Sequence, residues 1–135
     1  MLNAVKRNTF RKAEKICNQN QIDSLFKEGK SLKSGLFRLI FIETEVSDNF
    51  SVQVLIAVPK KHLRHSVDRN RMKRLIREAY RLNKHKINEV YSRIGKHCDL
   101  AVIFNGINCV SQAETTVAIN ELLDRLIRTH EKNSE

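Results

Sequence analysis

The apolar residues of the chain recur with two different periods, and the period of two marks the strands. Residues 36–45 alternate with Phe37, Leu39 and Phe41 on one face, and residues 50–58 alternate in the same way. The polar residues 47–49 favour a turn between these two segments, so the pattern predicts a β-hairpin. A further short, buried strand is predicted over residues 99–104.

Helical periodicity marks a short segment near the start of the chain and a longer one at its end. The first helix has Asn18 or Asn20 as its N-cap and ends at Gly29. The last helix opens on a capping box at residues 111–114, and its core face reaches about Thr129. The first helix runs through the apolar residues Ile22, Leu25 and Phe26. The core face of the last consists of Val117, Ala118, Ile119, Leu122 and Leu126.

A third helix is predicted between these two, starting at Ser66 as its N-cap. Its apolar stripe has the spacing of one helix face. A further helical turn or two is predicted over residues 84–94, before Gly95. The stripe consists of Met72, Leu75, Ile76 and Ala79.

Length and composition indicate one folded domain. A chain of 135 residues with 41% hydrophobic residues can bury its own core, and no repeat, linker or low-complexity run divides it. We therefore predict a single α+β domain over residues 1–135, with a core at about 10–128, a flexible basic N-terminus at 1–9 and a tail at 129–135. No window approaches the roughly 18 apolar residues of a membrane span, so we expect no membrane partner.

The cysteines argue against two kinds of stabilising site. Cys17, Cys98 and Cys109 are odd in number and share no CxxC spacing, which disfavours both a disulfide framework and a zinc site. We therefore expect no metal in the protein. Free thiols fit a reducing compartment, and no apolar stretch of a secretory signal follows the basic N-terminus, so we expect a cytoplasmic location.

The charge is concentrated in one part of the chain. The sequence holds 25 Lys and Arg against 15 Asp and Glu, a formal net charge of +10. Residues 60–86 contain eleven of these cations but only Asp68 and Glu78 as anions, so this segment carries nine of the ten net charges. A local charge of this size indicates a polyanionic partner.

The predicted middle helix presents these charges in a pattern that suits phosphate groups. Successive residues are rotated by about 100° around a helix axis, so a set of polar and cationic side chains falls within one arc of roughly 100° beside the apolar stripe. Arginine is frequent in the segment, and its planar fork matches phosphate oxygens. The pattern therefore favours a nucleic acid. The arc consists of Asn70, Lys73, Arg74, Arg77 and Arg81.

Other interpretations fit this segment less well. A mixed-sign charge run is usually a solvated face, but this run is almost wholly cationic and repels itself. A helix-turn-helix DNA reader needs a second helix just before this one, where the chain has strands instead. An anionic membrane surface would need inserting aromatic residues that the stripe lacks. Asp68 and Glu78 cannot share a helix face, and no motif of a metal-dependent nuclease is present, so we predict no catalytic residues.

The basic segment also resembles a known signature. Val58-Pro59-Lys60-Lys61 followed by residues 69–81, RNRMKRLIREAYR, is similar to the RNR motif of the bacterial ribonuclease P protein component. The flanking features match in order over about residues 10–128: an early helix ending in LFKEG, a hairpin before the motif, and a strand and a closing helix after it.

The resemblance implies a fold and a function. The fold is a two-layer α/β sandwich of order α-β-β-β-α-β-α, with a four-stranded sheet, a left-handed βαβ crossover and an additional strand near residues 31–34. The function is that of a protein subunit, which assists a large catalytic RNA in removing the 5′ leader of precursor tRNA. Its partners are then ribonuclease P RNA and precursor tRNA, with no small-molecule substrate, and Mg²⁺ is expected on the RNA subunit. The alternative is a basic protein that binds structured RNA or DNA without a nuclease partner.

The resemblance also assigns site residues. Departures from the family pattern are Ile22 and Ile40, where aromatic residues are common, Pro59 in place of a serine, and a linker over residues 61–66 that is one residue longer. The residues implied in binding RNA are Lys60, Lys61, Arg64, Arg69, Asn70, Arg71, Lys73, Arg74, Arg77 and Arg81. Those implied in a cleft for the leader are Arg11, Lys12, Ile22, Phe26, Arg38 and Ile40.

Overall fold

The computed structural model of this chain describes residues 15–16, 19–45 and 52–133, and these form three helices and four strands. The predicted α+β class, with the order α-β-β-β-α-β-α, is confirmed. The additional strand expected near residues 31–34 is present as β1. The elements are α1 (Gln19–Glu28), β1 (Lys30–Ser34), β2 (Phe37–Glu45), β3 (Val52–Ala57), α2 (Ser66–Ile94), β4 (Lys96–Phe104) and α3 (Gln112–Asn133).

The strands form one mixed sheet in the order β1-β2-β4-β3. The predicted hairpin between β2 and β3 is wrong, because β4 lies between them, antiparallel to β2 and parallel to β3. The hairpin in the sheet is β1–β2, in which Gly35 takes a φ of 58° between the paired residues Ser34 and Phe37. The predicted turn at residues 47–49 lies outside the described residues.

The central strand β4 is longer than predicted. It begins at Lys96 rather than Asp99, and every residue from His97 to Phe104 is buried. Two apolar clusters cover its two faces. Helices α2 and α3 pack on the side that contains Leu39 and Leu100, whereas α1 packs through Leu25 on the side that contains Ile40 and Ala101. The sheet therefore separates α1 from the basic helix α2.

Helix α2 is one continuous helix that includes the turns predicted over residues 84–94. Its predicted N-cap is wrong by one residue: His65 occupies the cap in an extended conformation without a side-chain hydrogen bond, and Ser66 is already helical. Gly95 ends the helix with a φ of 68°, a left-handed conformation that favours glycine.

The other two helices also differ in detail from the pattern. In α1, Asn20 is the second helical residue and so is not the N-cap, while Asn18 lies outside the described residues. In α3, the Ser111 hydroxyl accepts a hydrogen bond from the Glu114 backbone N–H at 3.1 Å, which is the Ser111 half of the predicted capping box. The helix continues past Thr129 to Asn133. Val117, a predicted core residue, is instead 66% exposed.

Candidate nucleic-acid interface

The turn that leads into α2 is held by an arginine of the RNR motif. After Pro59, the backbone N–H groups of His62 and Leu63 both donate to the Pro59 carbonyl at 3.3 Å. The Arg69 guanidinium donates to the carbonyl oxygens of Leu63, at 3.0 Å, and Arg64, at 2.6 Å. Since these bonds use the fork of Arg69 within the protein, this residue shapes the turn that carries the neighbouring cations.

Helix α2 buries the predicted stripe and exposes the cations beside it. Met72, Ile76 and Ala79 are fully buried, and Leu75 packs against the same cluster. Asn70 is exposed, whereas Lys73 and Arg81 are partly buried. We refer to the six exposed cations of the turn and the helix as the basic face. These are Lys60, Lys61, Arg64, Arg71, Arg74 and Arg77.

The basic face is confined to the turn and the N-terminal half of α2. Arg81 forms an ion pair with Glu78 one turn earlier, and their hydrogen bond lowers the pKa of Glu78 and raises that of Arg81. Further along, Lys84 is buried, and Lys86 forms an ion pair with Asp124 of α3 at 2.8 Å. Lys84 and Lys86, the last two cations of the charged segment, therefore pack within the protein and are not part of the basic face.

Beside the basic face, a groove runs along the edge of the sheet formed by β3. The segment at Lys15 and Ile16 forms a parallel bridge with β3, in which the Ile16 N–H donates to the Val54 carbonyl at 3.0 Å. Lys73 and Arg77 of α2 line the groove together with this segment. The edge of β3 is thus flanked by cations from two parts of the chain.

On the opposite face of the sheet, α1 packs over the strands that carry the predicted cleft residues. Ile22 is partly buried and Phe26, one turn later, is 47% exposed. Ile40 packs in the apolar cluster under α1 and is only 5% exposed. Arg38 lies two residues earlier in β2, on the same face of the sheet, and is exposed. The structure therefore places four of the six predicted cleft residues on α1 or on the face of the sheet that α1 covers. The other two, Arg11 and Lys12, lie outside the described residues.

A buried polar network fixes the N-terminal half of α1 on the sheet. The Gln21 amide nitrogen donates to the Gln53 side chain at 2.9 Å and to both Asp99 carboxylate oxygens at 3.3 Å. His97 Nε2 lies 2.7 Å from Asp99 Oδ1. Because this network joins α1 to β3 and β4, it helps to fix the position of α1 on the sheet.

The thiols and carboxylates of the described residues do not assemble into a metal-binding group. No cluster of three or more His, Cys, Asp or Glu side chains is present in the described ranges. Burial raises the pKa of the Cys98 thiol, which disfavours its reactive thiolate form. Nor is any helix in this part of the chain both long and apolar enough to cross a membrane. The described surface thus offers cationic groups on α2 and, on the other side of the sheet, the exposed side chains of Phe26 and Arg38.

Sequence reasoning missed two parts of this surface. Gln21 and Gln53 of the polar network were not singled out, because Gln21 lies 32 positions from Gln53 and 78 from Asp99 in the sequence. Lys33 was also missed. It lies in β1 opposite Arg38, and the only residue-level signal was its alternation with Leu32 in a short polar stretch.

The fold and the surface define a class of protein: a small α/β sandwich with a basic helix on one face of its sheet, and with an exposed aromatic ring and cation on the other, is suited to binding nucleic acid. Comparison with known sequences identifies the family. Residues 10–127 match the family model described as Ribonuclease P. The chain belongs to the ribonuclease P protein family, as the RNR motif predicts, and is a protein component of the holoenzyme that processes tRNA.

Individual relatives agree with this assignment. The chain is 41% identical over 108 residues to the ribonuclease P protein component of Chlorobium phaeobacteroides, covering 73% of each chain. It is 41% identical over 80 residues to that of Porphyromonas gingivalis, covering 58% of each. Among solved structures, the RNase P protein of Thermotoga maritima is similar with a TM-score of 0.64 and 27% identity, over 83% of this chain and 96% of that one. The Staphylococcus aureus protein, at 22% identity and a TM-score of 0.67 over 85% and 96%, shares the fold.

Proposed function

We propose that the basic face binds the phosphate backbone of the ribonuclease P RNA, and that the cleft beside α1 holds the 5′ leader of precursor tRNA. The observation that carries the first part is the exposure of six cations on one turn and one half-helix. Such a concentration of positive charge is stabilised when phosphate groups neutralise it. This assigns Lys60, Lys61, Arg64, Arg71, Arg74 and Arg77 to phosphate contacts, with Asn70, Lys73 and Arg81 at the margin and Arg69 as the residue that shapes the turn.

The second part of the proposal depends on the cleft. Phe26 exposes nearly half of its surface on α1, and Arg38 is an exposed cation on the face of the sheet that α1 covers. Aromatic rings and positive charges together hold single-stranded nucleic acid by stacking and charge. Ile22 and Ile40 replace rings with aliphatic side chains, so Phe26 is the one aromatic contact among the assigned cleft residues that the structure describes. Arg11 and Lys12 are assigned to the same strand by sequence alone.

In this proposal the protein binds the RNA subunit and positions the 5′ leader of precursor tRNA, while the RNA subunit carries the Mg²⁺ ions and performs the cleavage. Cleavage of precursor tRNA therefore requires added ribonuclease P RNA. Cleavage by the protein with Mg²⁺ but without that RNA would contradict the division of labour. The free thiols Cys98 and Cys109 are compatible with our proposal of a cytoplasmic location.

Reconstitution with ribonuclease P RNA tests the partner and the substrate together. We expect Phe26→Ala to weaken binding of precursor tRNA to the holoenzyme by about fivefold to a hundredfold, in line with roughly 1 to 3 kcal/mol for one stacked base, and to leave mature tRNA unaffected. An equal loss for both substrates would assign Phe26 to folding instead of leader binding. Competition separates the DNA-binding alternative, since the RNA should displace duplex DNA of equal charge.

A further inference from the structure

The α1 side of the sheet contains one row of residues that crosses all four strands in register. Lys33 of β1 pairs with Arg38 of β2, Arg38 pairs with Ile103 of β4, and Ile103 pairs with Ala57 of β3. The last two belong to the apolar cluster under α1. The row therefore has an apolar half beneath the cleft and a cationic half toward the β1 edge.

Lys33 and Arg38 are adjacent cations, and no acidic side chain of the described residues forms an ion pair with either. Both are exposed, and residues directly opposite on antiparallel strands have Cβ atoms about 5 Å apart. Like charges placed opposite each other destabilise a sheet. An anion bound between them would remove that cost.

The strands hold the two side chains in a fixed place. The Lys33 carbonyl accepts a hydrogen bond from the Arg125 guanidinium of α3 at 2.5 Å, and two residues later Gly35 closes the hairpin. A rigid strand orients side chains better than a loop does, so Lys33 and Arg38 leave the same face of the sheet from directly paired positions. The sheet also separates this pair from α2, which packs on its other face.

We propose that Lys33 and Arg38 together bind a phosphate of the 5′ leader, beyond the nucleotide that stacks on Phe26. This inference rests on the proposed function of the cleft and extends it by one contact, to Lys33 on β1. The ligand class is an RNA phosphodiester, bound by the fork of Arg38 and the point charge of Lys33. The contact adds affinity only for leaders long enough to reach the β1 edge.

The test uses the reconstituted holoenzyme and the double variant Lys33→Gln with Arg38→Gln. We expect its affinity for a long-leader precursor tRNA to fall by threefold to tenfold at low salt, and the salt slope to fall by about 0.7 for each phosphate that the variant no longer binds. Affinities for a precursor with a one-nucleotide leader and for mature tRNA should not change. Lys30→Gln is the matched control, because Lys30 is an exposed lysine of the same strand that pairs with the core residue Phe41 and so faces the other side.

The possible failures can be told apart. If the double variant binds the long leader normally while Phe26→Ala still weakens it, the inference is overturned and the proposed cleft stands. If neither the double variant nor Phe26→Ala weakens binding of the long-leader precursor more than binding of the precursor with a one-nucleotide leader, the proposed leader site itself is wrong. An equal loss for mature tRNA would also overturn the inference, since the pair would then contact another part of the complex. The thermal midpoint of the free variant should not fall, which checks that the fold is intact.

Discussion

Two arginines of the RNR helix illustrate how residues of one type divide between structure and binding. Arg69 donates hydrogen bonds to two carbonyl oxygens of the preceding turn, whereas Arg74 is exposed on the basic face. The sequence motif treats them alike, because both lie on one basic helix. The structure distinguishes them, because Arg69 Nη1 is hydrogen-bonded to the turn and Arg69 is partly buried, whereas Arg74 is exposed.

These two environments predict different phenotypes. Arg69→Ala should lower the free energy of unfolding by about 1 kcal/mol, since two carbonyl groups lose a charged donor at a partly exposed site. Arg74→Ala should leave stability unchanged within about 0.5 kcal/mol and should reduce the salt slope of RNA binding by about one. Urea unfolding and salt-dependent RNA binding measure the two effects. Equal stabilities for the two variants would show that the turn does not depend on Arg69.

At the scale of elements, the position of α1 depends on a close approach at its C-terminal end. The Gly29 N–H donates to the Leu25 carbonyl at 2.9 Å, and a Cβ added to Gly29 would lie 2.4 Å from that oxygen and 2.5 Å from Ile40 Cγ2. No ordinary contact is that short, and one of the two atoms belongs to the backbone. A side chain at this position therefore forces α1 to move relative to β2.

Gly29→Ala should displace the wall of the cleft while leaving the basic face intact. We expect lower stability, by about 1 to 3 kcal/mol as for an overpacked site, and weaker binding of precursor tRNA. Affinity for the RNA subunit should remain near that of the unsubstituted protein, because α2 packs on the other side of the sheet. Gly35→Ala is a useful comparison, since a Cβ added there would meet nothing within 4 Å but its φ of 58° carries strain. A loss of RNA-subunit binding in Gly29→Ala alone would mean that the two faces are coupled.

The elements also show which parts of the fold the sequence could predict. Periodicity located α1, α2, α3 and the two longest alternating strands, because local burial imposes those periods. It could not identify strand partners, since the alternation of β2 is the same whether it pairs with β3 or β4. The nearly continuous apolar run at Leu100–Phe104 was the available signal for a central strand, because a strand covered on both faces loses its alternation. Lys33 was missed for the related reason that β1 is short and polar.

At the scale of the whole molecule, a buried cluster joins α2 to the sheet on the side away from the cleft. The Tyr91 hydroxyl donates a hydrogen bond to Glu43 of β2, and the fully buried Cys98 of β4 lies beside them. Burial is the main cause that raises the pKa of both Tyr91 and Cys98 above their ordinary values. Folding therefore favours the neutral form of each group.

This cluster predicts that stability falls in alkaline solution. A group whose pKa is raised by folding stabilises the protein fully at a pH below the pKa that the group has in the unfolded state. This stabilisation is lost as the pH rises from that value toward the higher pKa of the folded state. For Cys98 the loss begins near pH 9, the ordinary value for a thiol, and for Tyr91 near pH 10. Each group should then steepen the decline of the free energy of unfolding by up to about 1.4 kcal/mol per pH unit.

Cys98→Ala isolates one of these contributions. The variant should be less stable than the parent at pH 7, because it removes a fully buried sulfur, but its stability should decline less steeply between pH 9 and pH 10. Urea unfolding at pH 7, 9 and 10 gives the slopes, and Cys109→Ala is the comparison, since Cys109 is only partly buried. Parallel pH profiles for the parent and Cys98→Ala would show that the Cys98 thiol does not set the alkaline limit. A flatter profile for Cys98→Ala alone would locate that limit at the junction of α2 and the sheet, on the face that carries the basic helix.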